Sequence, residues 1–111
     1  MNITWQDFEK VDMRVGTIVS AKAFPEARKP AYILEIDFGG EIGLRKSSAQ
    51  ITKHYEKEAI VGQQIIAVVN FPPKQIGPIM SECLVMGAYD EQNDVILLQP
   101  NRATQNGAKI G

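Results

Sequence analysis

The chain has 111 residues, room for one domain over residues 1–111, and a chain of this size buries roughly 65% of the surface its unfolded form exposes. Twelve basic against thirteen acidic residues leave a net charge of −1, which excludes the global basic field of an indiscriminate polyanion binder. A lone cysteine, Cys83, excludes an internal disulfide and sets the expectation of a reducing, cytoplasmic setting.

The N-terminal residues hold no basic segment followed by an apolar one, so no leader is expected. No apolar run approaches the roughly 20 residues that span a bilayer, so neither is membrane insertion. Thr4 followed by Asp7 fits a capping box, which opens a short helix with Trp5 and Phe8 on one face. From Met13 the pattern alternates: Met13, Val15, Thr17 and Val19 on one side, Arg14, Gly16, Ile18 and Ser20 on the other. This predicts a first strand running toward Phe24, with a bend or bulge at Gly16. The prolines of residues 24–30 break any ladder and mark a loop.

Tyr32, Leu34, Ile36 and Phe38 line one face of a second strand, and Gly39-Gly40 marks a hairpin turn. A third strand follows over residues 42–49. Residues 52–61 read as a short helix closed by Gly62. Two apolar runs, residues 65–71 and 81–88, are predicted strands flanking a loop stiffened by Pro72, Pro73 and Pro78. A polar turn over residues 90–94 precedes Val95, and residues 99–111 read as an extended tail. Three strands, a helix and further strands form the order of an all-β, five-stranded OB-fold barrel with a short helix, an N-terminal helix and a C-terminal β extension. An open antiparallel sandwich is the competing arrangement.

Several segments then carry a resemblance. Asp12-Met-Arg-Val-Gly-Thr-Ile-Val, Ser47-Ser-Ala-Gln-Ile-Thr-Lys-His-Tyr, Val61-Gly, Val69-Asn and Ser81-Glu-Cys-Leu resemble the EMAP-II-like tRNA-binding domain family. Phe24-Pro-Glu-Ala-Arg, Val68-Val-Asn-Phe-Pro-Pro and Leu97-Leu-Gln-Pro are similar to that family's bacterial export chaperones. The resemblance implies an OB fold, a homodimer and no catalysis. It also implies unfolded export precursors and the secretion machinery as partners, with tRNA, bound by shape at its outer corner, as the alternative.

OB barrels bind ligands on the face of strands two and three, between flanking loops. Here that face is expected to collect Arg28 and Lys29 from the first loop, and Arg45, Lys46, Ser47 and Ser48 from strand three. Lys53, Lys74 and Ser81 extend this polyanion-binding set. The competing reading is a set of surface cations that keep a barrel soluble. Where the family's tRNA binders carry a basic Lys-Met-Arg-Gly element, this chain has Gln75-Ile-Gly-Pro78, two positive charges fewer. In their place Phe71, Ile76, Ile79 and Met80 offer an adaptable apolar lip for peptide, or packing for a partner subunit. Trp5 and Phe8 are the candidate dimer contacts. His54 and Cys83 have no visible nucleophile–base partner, no Cys/His spacing suits zinc, and no Gly-rich loop cradles phosphate. No cofactor, metal or catalytic residue is therefore expected.

Overall fold

Thr4 caps the first helix, α1 (Trp5–Glu9), as the sequence requires: its hydroxyl accepts the Asp7 N–H and the Asp7 carboxylate accepts the Thr4 N–H, both at 3.1 Å. The computed structural model describes all residues, Met1–Gly111. The next element, β1 (Met13–Ala23), serves two neighbours. Its first half pairs antiparallel with β4 (Gln64–Val68), and its second half with β2 (Tyr32–Asp37).

The register between β1 and β2 slips between Ile18 and Ser20, so the bulge lies at Val19 and not at Gly16. An inserted residue inverts the facing of everything beyond it. Ile18, ahead of the bulge, is fully buried, and beyond exposed Val19 it is Ala21 that packs against the same core, a facing that plain alternation from Ile18 does not give. Gly16 has another reason to be glycine. A Cβ there would lie 2.6 Å from Ile36 Cγ2 and 2.7 Å from the Phe38 ring, so only a bare backbone lets β1 cross the core so closely.

Strand β2 turns through Gly39 and Gly43, both at positive φ, into β3 (Leu44–Ala49). The five-stranded sheet runs β3-β2-β1-β4-β7, where β7 is Leu84–Val85. Its two ends meet. The Glu82 N–H donates to the Lys46 carbonyl at 2.7 Å, the Ser47 hydroxyl to the Cys83 carbonyl at 3.1 Å, and the Ser48 N–H to Ser81 Oγ at 3.1 Å. The result is a nearly closed five-stranded barrel, the OB arrangement. It is filled by Ile18, Leu34, Ile36, Phe38, Ile65 and their neighbours.

Three segments differ from the sequence reading. The helix over residues 52–61 shrinks to α2 (Lys57–Ile60). Tyr55 is drawn into the barrel wall, its carbonyl accepting from the Tyr32 hydroxyl at 2.7 Å and its own hydroxyl accepting the Leu97 N–H at 2.9 Å. The proline-rich loop holds a hairpin, β5 (Lys74–Ile76) and β6 (Ile79–Ser81). Its prolines stand before β5 and in the turn, where no ladder donor is needed, and Gly77 takes the positive φ of +54° at the first turn position. The run over residues 81–88 is broken into the end of β6, then β7, then β8 (Gly87–Tyr89), which pairs with β9 (Val95–Leu97) across the polar turn. The C-terminal residues anneal to β1: Gly107 N–H donates to the Val15 carbonyl at 2.7 Å and Ile110 N–H to that of Met13 at 2.9 Å.

Candidate binding groove

The loop between β1 and β2 is tied at its base, where the Phe24 N–H donates to the Ala31 carbonyl at 3.2 Å and both residues are buried. Arg28 and Lys29 are left exposed at its tip. Below that tip runs a groove of about 740 Å³. It is lined by Lys29 and Pro30, by residues 48–53, and by Leu84, Val85, Tyr89, Asn93, Asp94 and Val95. Lys29, Ser48 and Lys53 of the sequence-derived set meet here. Leu84 and Tyr89 are 52% and 74% exposed, and neither was among the candidates. The available signals were the place of Leu84 in the Ser81-Glu-Cys-Leu segment and that of Tyr89 just before the turn between the last strands, a region where OB folds take ligands.

Strand alternation separates the other candidates. In β3 the side chains of Lys46 and Ser48 point outward while Ser47 is buried and Arg45 is half-buried. Successive residues of a strand face opposite ways, so Arg45 and Lys46 do not share a binding face. Arg45 reaches across the barrel seam, its Nη1 donating to the carbonyls of Val69 at 3.2 Å and Glu82 at 3.4 Å. The Ser47 hydroxyl is committed to the Cys83 carbonyl and offers a ligand nothing. Ser81 Oγ likewise accepts the Ser48 N–H at the seam. Lys46 keeps an exposed side chain on the Ser48 face, and Arg28 and Lys74 are exposed outside the groove lining.

The apolar quartet lies off this groove. Ile76 and Ile79 pair across the hairpin and are half-buried, on the face that carries Ser81 toward the barrel. Phe71 and Met80 are exposed. Trp5 is 77% exposed and meets Phe8 edge to face at 6.3 Å between centroids, beside exposed Ile3.

Cys83 is buried at the seam, and removal from water pushes its thiol up from the ordinary 9.0 to about 11, against a smaller opposing pull from the Ser47 hydroxyl. A neutral, enclosed thiol is not a nucleophile. His54 does have a partner: its Nε2 lies 2.6 Å from Asp90 Oδ2. The Asp90 carboxyl is held below its ordinary range, first by the Asp94 backbone N–H and then by His54. A separation of 36 residues hides this pair from a local reading. No helix is long and apolar enough to cross a membrane.

Residues 13–109 match the family described as "Putative tRNA binding domain", and the chain belongs to that family. The methionine–tRNA ligase of Pyrococcus horikoshii is 35% identical over 108 residues, covering 97% of this chain but only 14% of that enzyme, so the likeness is confined to one part of a much larger protein. The crystal structure of chaperone CsaA from Bacillus anthracis covers the whole of both chains at 53% identity and a TM-score of 0.93. That of the CsaA chaperone protein from Picrophilus torridus covers 99% of this chain and 100% of its own at 51% identity, with the same TM-score of 0.93. Within the family the chain is of the CsaA type.

Proposed function

We propose that this protein is a non-catalytic chaperone that holds non-native segments of export precursor polypeptides in the groove between Lys29 and Tyr89. The observation that carries this reading is the make-up of the groove. Of the six cations expected on the binding face, only Lys29 and Lys53 line it, and the exposed apolar surfaces of Leu84 and Tyr89 share the lining. Each phosphate contact adds a salt slope of only about 0.7–0.9, and two such contacts anchor a polyanion weakly. An extended polypeptide instead gains from apolar side chains flanked by polar groups. Phe71 and Met80 are also exposed, outside the groove lining. The titles of the two full-length structural relatives, both chaperones, support the same reading. The test is suppression of aggregation of a chemically unfolded protein: Leu84→Ser with Tyr89→Ser should abolish it without changing the fold. Undiminished suppression in that variant contradicts the proposal.

The family match favours a second reading, tRNA binding. Lys29, Lys46 and Lys53 would then contact phosphates while Tyr89 stacks on an unpaired base. Lys29→Glu with Lys53→Glu should remove tRNA retention at low salt. A parent protein that retains no tRNA even at low ionic strength rules this reading out. In either case a second copy covers the apolar face of Ile3, Trp5 and Phe8 and the working unit is a homodimer; as a chaperone it serves the secretion machinery in the cytoplasm.

A further inference from the structure

Beside the groove, whose lining Asp94 joins, three side chains from two separated segments converge. His54 comes from the turn after β3, and Asp90 and Asp94 from the turn between β8 and β9. One imidazole nitrogen and one oxygen from each carboxylate all lie within 4.8 Å of one another. The two carboxylates are not placed by chance contact. Asp90 Oδ1 accepts the backbone N–H groups of Gln92 and Asp94, each at 2.9 Å, which fixes the carboxylate and leaves Oδ2 for His54. Asn93, at φ +64°, folds the chain back so that the Asp90 N–H donates to the Asp94 carbonyl at 2.8 Å. The half-buried Asp94 carboxylate stands beside them and forms no ion pair of its own.

We infer that His54, Asp90 and Asp94 form a binding site for a divalent transition-metal ion of the zinc type, completed by water. A neutral imidazole with two carboxylates gives a borderline donor set whose charge matches a dication. The backbone N–H groups that hold Asp90 are the outer hydrogen bonds that ligating carboxylates ordinarily carry. Bonds of about 2.0–2.1 Å in a tetrahedron place donors about 3.3–3.4 Å apart. The 2.6 Å His54–Asp90 contact must therefore open by less than about 1 Å as the ion takes the place of the hydrogen bond, while Asp94 closes in from within 4.8 Å. All three ligands sit on turns, where such movement is easy. The ion would tie the segment carrying Lys53 to the turn carrying Asn93, two groove-lining residues, and so set the width of the groove. This inference is independent of which ligand the groove takes.

The test is calorimetric titration of zinc chloride into tag-free, chelator-treated full-length protein, in which His54 is the sole histidine. One zinc per chain is expected, with the His54 ring resonances shifting at the same equivalence point. Asp94→Asn leaves the His54–Asp90 pair intact, so it separates a metal site from a plain ion pair. Its affinity should fall by about tenfold or more, with an unchanged thermal melt of the metal-free protein. Zinc uptake well below one equivalent, or equal affinity in the parent and Asp94→Asn, overturns the inference. So does an uptake that leaves the His54 resonances unmoved.

Discussion

Lys46 and Glu82 are joined twice across the barrel seam: the Glu82 N–H donates to the Lys46 carbonyl at 2.7 Å, and the Glu82 carboxylate accepts the Lys46 N–H at 3.0 Å. The Lys46 main chain thus closes the barrel while its side chain remains exposed. Its neighbour Arg45 does the reverse, directing its guanidinium across the seam to two carbonyls. Adjacent cations that look equivalent therefore have opposite duties.

Arg45→Ala should destabilise the fold by about 1–3 kcal/mol, because carbonyls at the seam lose a charged donor. Lys46→Ala should stay within about 0.5 kcal/mol of the parent, as surface substitutions do. Urea unfolding midpoints decide the matter, and equal losses in the two variants would contradict the seam role of Arg45.

Gly16→Ala should cost about 1–3 kcal/mol through overpacking, since the added methyl would meet Ile36 and the Phe38 ring, both fully enclosed. A thermal melt measures this directly. A variant as stable as the parent would show that β1 can retreat from the core at no cost.

Cys83 gives a pH dependence with a definite sign. Its folded thiol titrates at about 11 against an ordinary 9.0, so the folded state holds the proton more tightly than the unfolded chain. The associated stability is complete below pH 9 and is lost as the pH rises from 9 to about 11. By linkage it amounts to roughly 2–3 kcal/mol. Cys83→Ala should flatten that alkaline decline in unfolding experiments, and at pH 8 the native thiol should alkylate far more slowly than the unfolded one. Rapid alkylation of the native protein would contradict the enclosed, neutral thiol.

Trp5→Ser should shift the protein from dimer to monomer in sedimentation velocity, because Trp5 is the largest side chain on an otherwise uncovered apolar face. A parent chain that sediments as a monomer, or a variant that stays dimeric, would contradict the assignment of that face.

What was legible in the sequence was local. The Thr4–Asp7 cap and the Leu34, Ile36, Phe38 face follow from spacing within one element, and the barrel follows from element order. The seam was not legible, because Lys46 and Glu82 come together only when the sheet closes, 36 residues apart. The same separation hides His54 and Asp90. The β5–β6 hairpin was obscured by its prolines, which signal broken ladders but here sit outside the paired positions. Grouping Arg45 with Lys46 overlooked a signal that was present, the two-residue period of a strand. Leu84 lay in the Ser81-Glu-Cys-Leu segment without being singled out, Tyr89 carried no motif, and only the folded chain brings both into one groove lining with Lys29.

The central claim is that ligand is held in the groove between Lys29 and Tyr89. Amide chemical-shift mapping during titration with a permanently unfolded polypeptide tests it most directly. The account predicts saturable shifts concentrated at Ser48, Lys53, Leu84 and Tyr89. Shifts confined to Gln75, Ile76 and Met80, or to Trp5 and Phe8, with the groove residues unmoved, would contradict it.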